Sequence, residues 1–146
     1  MKLLVLDGPN LNLLGKREPG VYGSRTLEQL RDGVRQEAAR LKVEVDFLQS
    51  NSEGELVTAV QDAAEPYDGL IINPGGLTHY SVALLDALLA VEIPCIEVHL
   101  TNLACREEFR RQSVVASGVI GRIEGFGAAG YRLALAGLAE IVANRK

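Results

Sequence analysis

Five short apolar or β-branched runs, residues 2–6, 43–48, 69–73, 94–99 and 118–123, alternate with stretches of helical pattern along the 146 residues. That alternation constrains the fold more than any other feature. Strands separated by helix-length segments pair in parallel, because a parallel pair needs a long crossover where an antiparallel pair needs only a tight turn. Thr26 with Gln29 has the form of a capping box and opens a helix to about Leu41; Ser52 with Glu55 has the same form and opens another to about Ala64. Residues 80–91 read as a third helix and 128–144 as a closing amphipathic one, with a shorter helix over 106–112 completing five βα units. The pattern predicts a flavodoxin-like α/β sandwich of three layers, with a five-stranded parallel sheet in the order 2-1-3-4-5 and helices on both faces.

The third helix is unusual. SVALLDALLAV, residues 81–91, is apolar nearly all round, and Asp86 is its only charge. A helix of that kind is a buried one. A chain of this length has little interior in which to surround a helix, so the sequence points to a subunit interface and a homo-oligomer, with Asp86 at or beside the contact. An unpaired buried carboxylate is costly, so Asp86 is expected to meet a donor there.

The length fits one domain, residues 1–146. A net charge of −4 argues against a nucleic-acid partner, although Arg106, Arg110 and Arg111 form a local basic cluster suited to a small anion. No apolar run approaches the roughly 20 residues of a membrane span, and MKLLVLD is too short for a signal-peptide core, so a cytoplasmic location is expected. Cys95 and Cys105 lie outside any CxxC pattern, and two His without an HExxH motif offer no metal site. GFGAAG, residues 125–130, matches the dinucleotide string but falls in the last βα unit, without a following strand. It reads as a tight turn with close helix–sheet packing, and no nicotinamide or flavin cofactor is implied.

Three segments at strand C-terminal ends carry the polar residues. Ligands of open α/β sheets bind at that edge. The first segment, GPNLNLLGKREPGVYG at residues 8–23, is too rich in Gly, Pro and Asn for a helix or strand. It reads as an active-site lid over residues 8–24, with Arg17 and Tyr22 as its chemical groups. A nearby guanidinium favours the phenolate of a Tyr, whose free pKa is ~10. The second segment, NPGGLTHYS at residues 73–81, offers Asn73, His79 and the backbone N–H groups of Gly75 and Gly76. The third, EVHLTN at residues 97–102, places Glu97 and His99 two positions apart on a strand, hence on one face. A carboxylate beside an imidazole orients a general acid or base.

These motifs, with QSNSEGEL, REEFR and GFGAAGY, closely resemble the type II 3-dehydroquinate dehydratases, in order from about Leu4 to Tyr131. The resemblance implies a flavodoxin-like fold and a dodecamer built as a tetramer of trimers. It implies cofactor-free anti dehydration of 3-dehydroquinate to 3-dehydroshikimate through an enolate, in the shikimate pathway or in quinate breakdown. By motif, Tyr22 would be the base, Arg17 would make it more acidic and close the lid, and Asn12 would help stabilise the enolate through a water. His99, oriented by Glu97, would protonate the departing hydroxyl. Asn73, His79 and Arg110 would hold substrate hydroxyls, the backbone N–H groups of Leu100 and Thr101 the carboxylate, and Asp86 would reach in from an adjacent subunit. Lys2, Lys16, Lys42 and Lys146 fall at element edges, the lid or the terminus, so none suits the Schiff-base route of the unrelated type I enzymes. Asp7 stands where that family commonly has Asn, Leu85 replaces an Arg before Asp86, and Thr101 replaces a Ser. The segments around 103–105, Gln112 and 114–117 also differ. None of these departures removes a proposed catalytic group. The competing reading is a flavodoxin-like binding or assembly module that has lost activity, against which the presence of Arg17, Tyr22, Glu97 and His99 counts.

Overall fold

In a computed structural model describing residues 1–145, strands β1 (Lys2–Asp7), β2 (Glu44–Gln49), β3 (Gly69–Asn73), β4 (Cys95–His99) and β5 (Gly121–Glu124) form one parallel sheet. Its order is β2-β1-β3-β4-β5, as the alternation predicts. The helices are α1 (Pro19–Tyr22), α2 (Leu27–Leu41), α3 (Glu53–Asp62), α4 (Val82–Ala90) and α5 (Ala129–Arg145). Lys146 lies outside the described residues.

The strands are buried on both faces, so they read as apolar runs rather than alternating ones. Leu3, Val5, Ile71 and Val98 face α2 and α5, meeting Leu30, Val34, Tyr131 and Leu135. Their neighbours Leu4, Leu6, Leu70 and Ile72 face α3 and α4, meeting Leu56, Val60, Leu84 and Leu88. Two cores therefore sandwich the sheet.

The first predicted cap is complete: Thr26 Oγ1 accepts from Gln29 N at 3.1 Å, and Gln29 Oε1 accepts from Thr26 N at 3.0 Å. The second is half formed. Ser52 Oγ accepts from Glu55 N at 3.3 Å, but the Glu55 carboxylate turns instead to the Ser50 hydroxyl, which in turn accepts from Ser52 N at 2.9 Å.

Three expectations need correction. The helix over 106–112 is absent; the segment folds as 3-10 turns at Leu103–Cys105 and Glu108–Arg110, with a third at Val115–Gly118. Asn102 caps the first of these through Ala104 N at 3.2 Å, and ion pairs of Arg106 and Arg110 with Glu107 fasten the second. The last strand begins at Gly121 rather than Gly118. Gly118 is drawn onto α4, where an added Cβ would stand 3.0 Å from both Leu85 and Leu88. Finally, residues 8–23 are not free of helix: they hold a 3-10 turn at Leu11–Leu13 and α1 at Pro19–Tyr22. As expected, this chain alone does not surround α4. Leu84, Ala87 and Leu88 are buried, but Val82 is 58% and Leu89 60% exposed, and Asp86 is exposed with them.

Candidate active site

The loops after β1, β3 and β4 meet at the edge where strand order reverses, as the topology requires. Asp7 lies beside Asn73 in register, and the chain crosses between the two loops through Gly8 N donating to Asn73 O at 2.7 Å. Gly8 has no substitute there, since a Cβ would fall 2.5 Å from Pro74 O. Gly75 is held at φ +58°, 3.0 Å from Pro9 O by the same measure, so the two turns interlock.

Between these loops lies a cavity of about 210 Å³. Arg17, Tyr22, Asn73, Gly75, Gly76, His79, His99, Leu100, Thr101 and Arg110 line it, which unites most of the residues singled out from sequence. Three others do not line it. Glu97 stands behind His99. Asn12 projects outward from the 3-10 turn Leu11–Leu13, in which Leu11 turns inward. Asp86 sits on the exposed face of α4.

Glu97 and His99 share one face of β4, and His99 Nε2 lies 2.6 Å from Glu97 Oε1. The Glu97 carboxylate is fully buried, yet Thr78 Oγ1 donates to it, Ser113 Oγ stands 3.0 Å from both its oxygens, and Arg122 Nε lies 3.2 Å away. Burial alone would push this carboxyl up. The hydrogen bonds from His99 and Thr78, with the charges of His99 and Arg122, outweigh that and hold it below the ordinary carboxylate range. His99 is therefore backed by an ionised group, and its Nδ1 is the nitrogen left for a ligand.

Tyr22 ends the short helix α1, which Pro19 starts at a position where a missing N–H costs nothing. Two guanidiniums flank its ring: Arg17 at 5.4 Å and Arg106 at 5.5 Å from the centroid. Only Arg106 reaches the hydroxyl, with Nη1 and Nη2 each 3.4 Å from Tyr22 Oη. Those distances are long for hydrogen bonds, so the contact is mainly electrostatic. Arg106 Nη1 also donates to Thr101 Oγ1 at 3.2 Å.

His79 Nδ1 lies 2.7 Å from Gln112 O, and Arg110 Nε lies 2.8 Å from Glu107, so both are tethered at the rim. Asn73 gives Nδ2 to the Tyr131 hydroxyl at 2.8 Å and accepts from Gly75 N at 3.1 Å.

Two wall residues escaped the sequence reading. Arg106 is visible there only as one member of a basic cluster, and nothing local says that it turns toward Tyr22. Asn10 lines the cavity at φ +70°, a conformation that Asn tolerates better than most residues, and its N–H donates to Asn51 Oδ1 at 3.0 Å. Its signal is the Pro-Asn pair after Gly8.

Among the described residues, no group of three His, Cys, Asp or Glu is placed to hold a metal ion, and no helix is long and apolar enough to cross a membrane. Gly125–Gly130 makes a turn whose N–H groups donate to His99 O and Leu100 O, with Gly130 close against Val98 and Ile123.

The sequence model of the family described as dehydroquinase class II matches residues 1–139. A 3-dehydroquinate dehydratase of Pelotomaculum thermopropionicum is 56% identical over 135 residues, covering 92% of this chain and 94% of its own. One from Halothermothrix orenii is 50% identical over 141 residues, covering 97% and 95%. Among solved structures, the type II dehydroquinase of Butyrivibrio crossotus superposes with a TM-score of 0.93 at 44% identity, covering 94% of this chain and 97% of its own.

Proposed function

Because the chain belongs to the class II dehydroquinase family, we propose that it is a lyase removing water from 3-dehydroquinate to give 3-dehydroshikimate. One observation carries the reading: Tyr22 and His99, from two different strand ends, line the same cavity. A base and an acid facing one small cavity are what an elimination beside a ketone needs.

Tyr22, as phenolate, takes a proton from the carbon next to the ketone. The electron pair moves into an enolate. As the enolate collapses, the carbon–oxygen bond to the hydroxyl breaks, and His99 supplies the proton that makes it water. One proton enters at Tyr22 and one leaves from His99, so the site resets by a net transfer between them. Arg17 and Arg106 flank the phenol ring, and Arg106 reaches its oxygen. Glu97 holds the imidazole in place through the contact at 2.6 Å. Asn73, His79 and Arg110 hold substrate hydroxyls, and the backbone N–H groups of Leu100 and Thr101 hold the carboxylate, with Gly75 and Gly76 beside them. The amide facing the enolate is supplied by Asn10, which lines the cavity, in place of Asn12. Every group in this route is a side chain or backbone N–H, so it calls for neither metal nor organic cofactor.

Residues 8–24 act as a lid whose closing excludes water from the Tyr22 pair. The exposed apolar face of α4, with Val82 and Leu89, supports assembly with further copies as a tetramer of trimers; Asp86 on that face then reaches a neighbouring subunit's site. The enzyme works in the cytoplasm, in aromatic biosynthesis or in quinate breakdown. The test is direct: purified protein added to 3-dehydroquinate produces the ultraviolet absorbance of the conjugated product. No increase from a folded protein refutes the assignment.

A further inference from the structure

Beneath the cavity lies a buried polar chain that the reaction scheme does not use. Asp7 is fully buried at the end of β1. Its Oδ1 accepts from the Tyr131 hydroxyl at 2.7 Å, and its Oδ2 accepts from Arg31 Nη2 at 3.3 Å. Tyr131, fully buried on α5, accepts in turn from Asn73 Nδ2 at 2.8 Å. The chain thus runs from α2 through two strand ends and α5 to a residue of the cavity wall.

Donor and acceptor counting gives this chain a direction. A carboxylate only accepts, and a phenol has one proton. Tyr131 spends that proton on Asp7, so only lone pairs remain for Asn73. Asn73 must therefore turn its amino group toward Tyr131, which sends its carbonyl oxygen toward Gly75 N at 3.1 Å. We propose that Asp7 is a positioning residue: acting through the Tyr131 hydroxyl, it fixes which edge of the Asn73 amide faces the cavity. The inference rests on the dehydratase reading, in which Asn73 holds a substrate hydroxyl. Without that chain the Gly75 N–H alone holds the amide, and a hydroxyl meeting a reversed amide loses one hydrogen bond, worth ~0.5–1.5 kcal/mol.

The charged or titratable groups facing Asp7 are Arg31 from α2 and Tyr131 from α5; its strand neighbours, Gln49 of β2 and Asn73 of β3, carry no charge. Burial pushes the Asp7 carboxyl up, against the opposing pull of Tyr131 and Arg31. On acidification Asp7 therefore takes up a proton earlier than an ordinary carboxyl. A protonated Asp7 can donate to Tyr131, and the direction of the chain is then no longer fixed.

Steady-state kinetics on 3-dehydroquinate test this. Tyr131→Phe is expected to raise KM about tenfold at every pH with kcat within about twofold, the pattern of a lost contact made equally in ground and transition states. In the unmodified protein, KM is expected to rise several-fold on acidification while the pH is still above the ordinary Asp value of ~3.9. In Asp7→Asn, whose side chain does not titrate, that rise is expected to vanish. A Tyr131→Phe protein with native circular dichroism and unchanged KM overturns the inference, as does an acid rise of KM in Asp7→Asn equal to the original. Should Tyr131→Phe fail to fold, the Asp7→Asn comparison decides alone. Absence of turnover in the unmodified protein overturns the dehydratase reading and the inference with it; normal turnover with both variants unaltered overturns the inference only.

Discussion

Replacing Glu97 by Gln removes one charge and almost no volume from a fully buried group. The carboxylate oxygen Oε1 takes Thr78 and His99, Oε2 takes Arg122, and Ser113 stands between them. A carboxamide has one oxygen and an amino group that donates. If the oxygen stays toward Thr78 and His99, the amino group meets the Arg122 donor. If it is reversed, the amino group meets Thr78 and His99. The first arrangement is the cheaper, because Arg122 is partly exposed and already pairs with Glu124 at 3.0 Å. The expected loss of stability is then ~1–3 kcal/mol, the range for leaving one buried donor or acceptor without its partner. Activity suffers separately. The charge behind His99 is gone, and a charge-assisted hydrogen bond of ~1.5–3 kcal/mol with it, so kcat is expected to fall about 10- to 150-fold at 1.36 kcal/mol per decade. The pH dependence has a definite sign. Because the folded protein holds the Glu97 carboxyl low, its stabilisation is present above the unfolded value of ~4.3 and is lost as pH falls through the folded value. The stability gap between the two proteins should therefore narrow on acidification below that point. Product absorbance gives kcat, and urea titration followed by circular dichroism gives stability at each pH. A Glu97→Gln protein with native structure and kcat within about threefold of the original would refute the reasoning, since an uncharged amide would then serve His99 as well as a carboxylate.

Two further outcomes follow from the same geometry. Arg106→Gln removes the only guanidinium within reach of the Tyr22 hydroxyl among the described residues, so kcat is expected to drop at least ~10-fold while circular dichroism stays native; an unchanged kcat would leave Arg17 as sufficient. Leu89→Glu places a charge on the uncovered face of α4, which in a chain acting alone is close to neutral. Analytical ultracentrifugation is expected to show a smaller assembly, and a particle of unchanged mass would rule that face out as an interface.

Much of the fold was legible because its signals are local. Sheet order follows from alternation, and the helix starting at Leu27 follows from Thr26 and Gln29. The segment after β4 was not legible. REEFR has the composition of a helix, but its arginines are drawn into contacts with Tyr22, Thr101 and Glu107 that no periodicity encodes. Likewise the all-apolar pattern of α4 reports burial without saying what covers it; in this chain Leu84 and Leu88 face the core while Val82 and Leu89 do not. Within the site, Glu97 and His99 were legible as a pair because strand geometry puts alternate residues together. That Asn10 rather than Asn12 lines the cavity was not, because it depends on which way one 3-10 turn faces.

In the proposed route the Tyr22 hydroxyl is the base. Tyr22→Phe keeps the ring between Arg17 and Arg106 and removes one oxygen. Its kcat on 3-dehydroquinate is expected to fall by a factor on the order of 10²–10⁴, the usual share of a general base, with substrate Kd little changed. A variant that binds substrate and turns it over at a near-original rate would contradict the account.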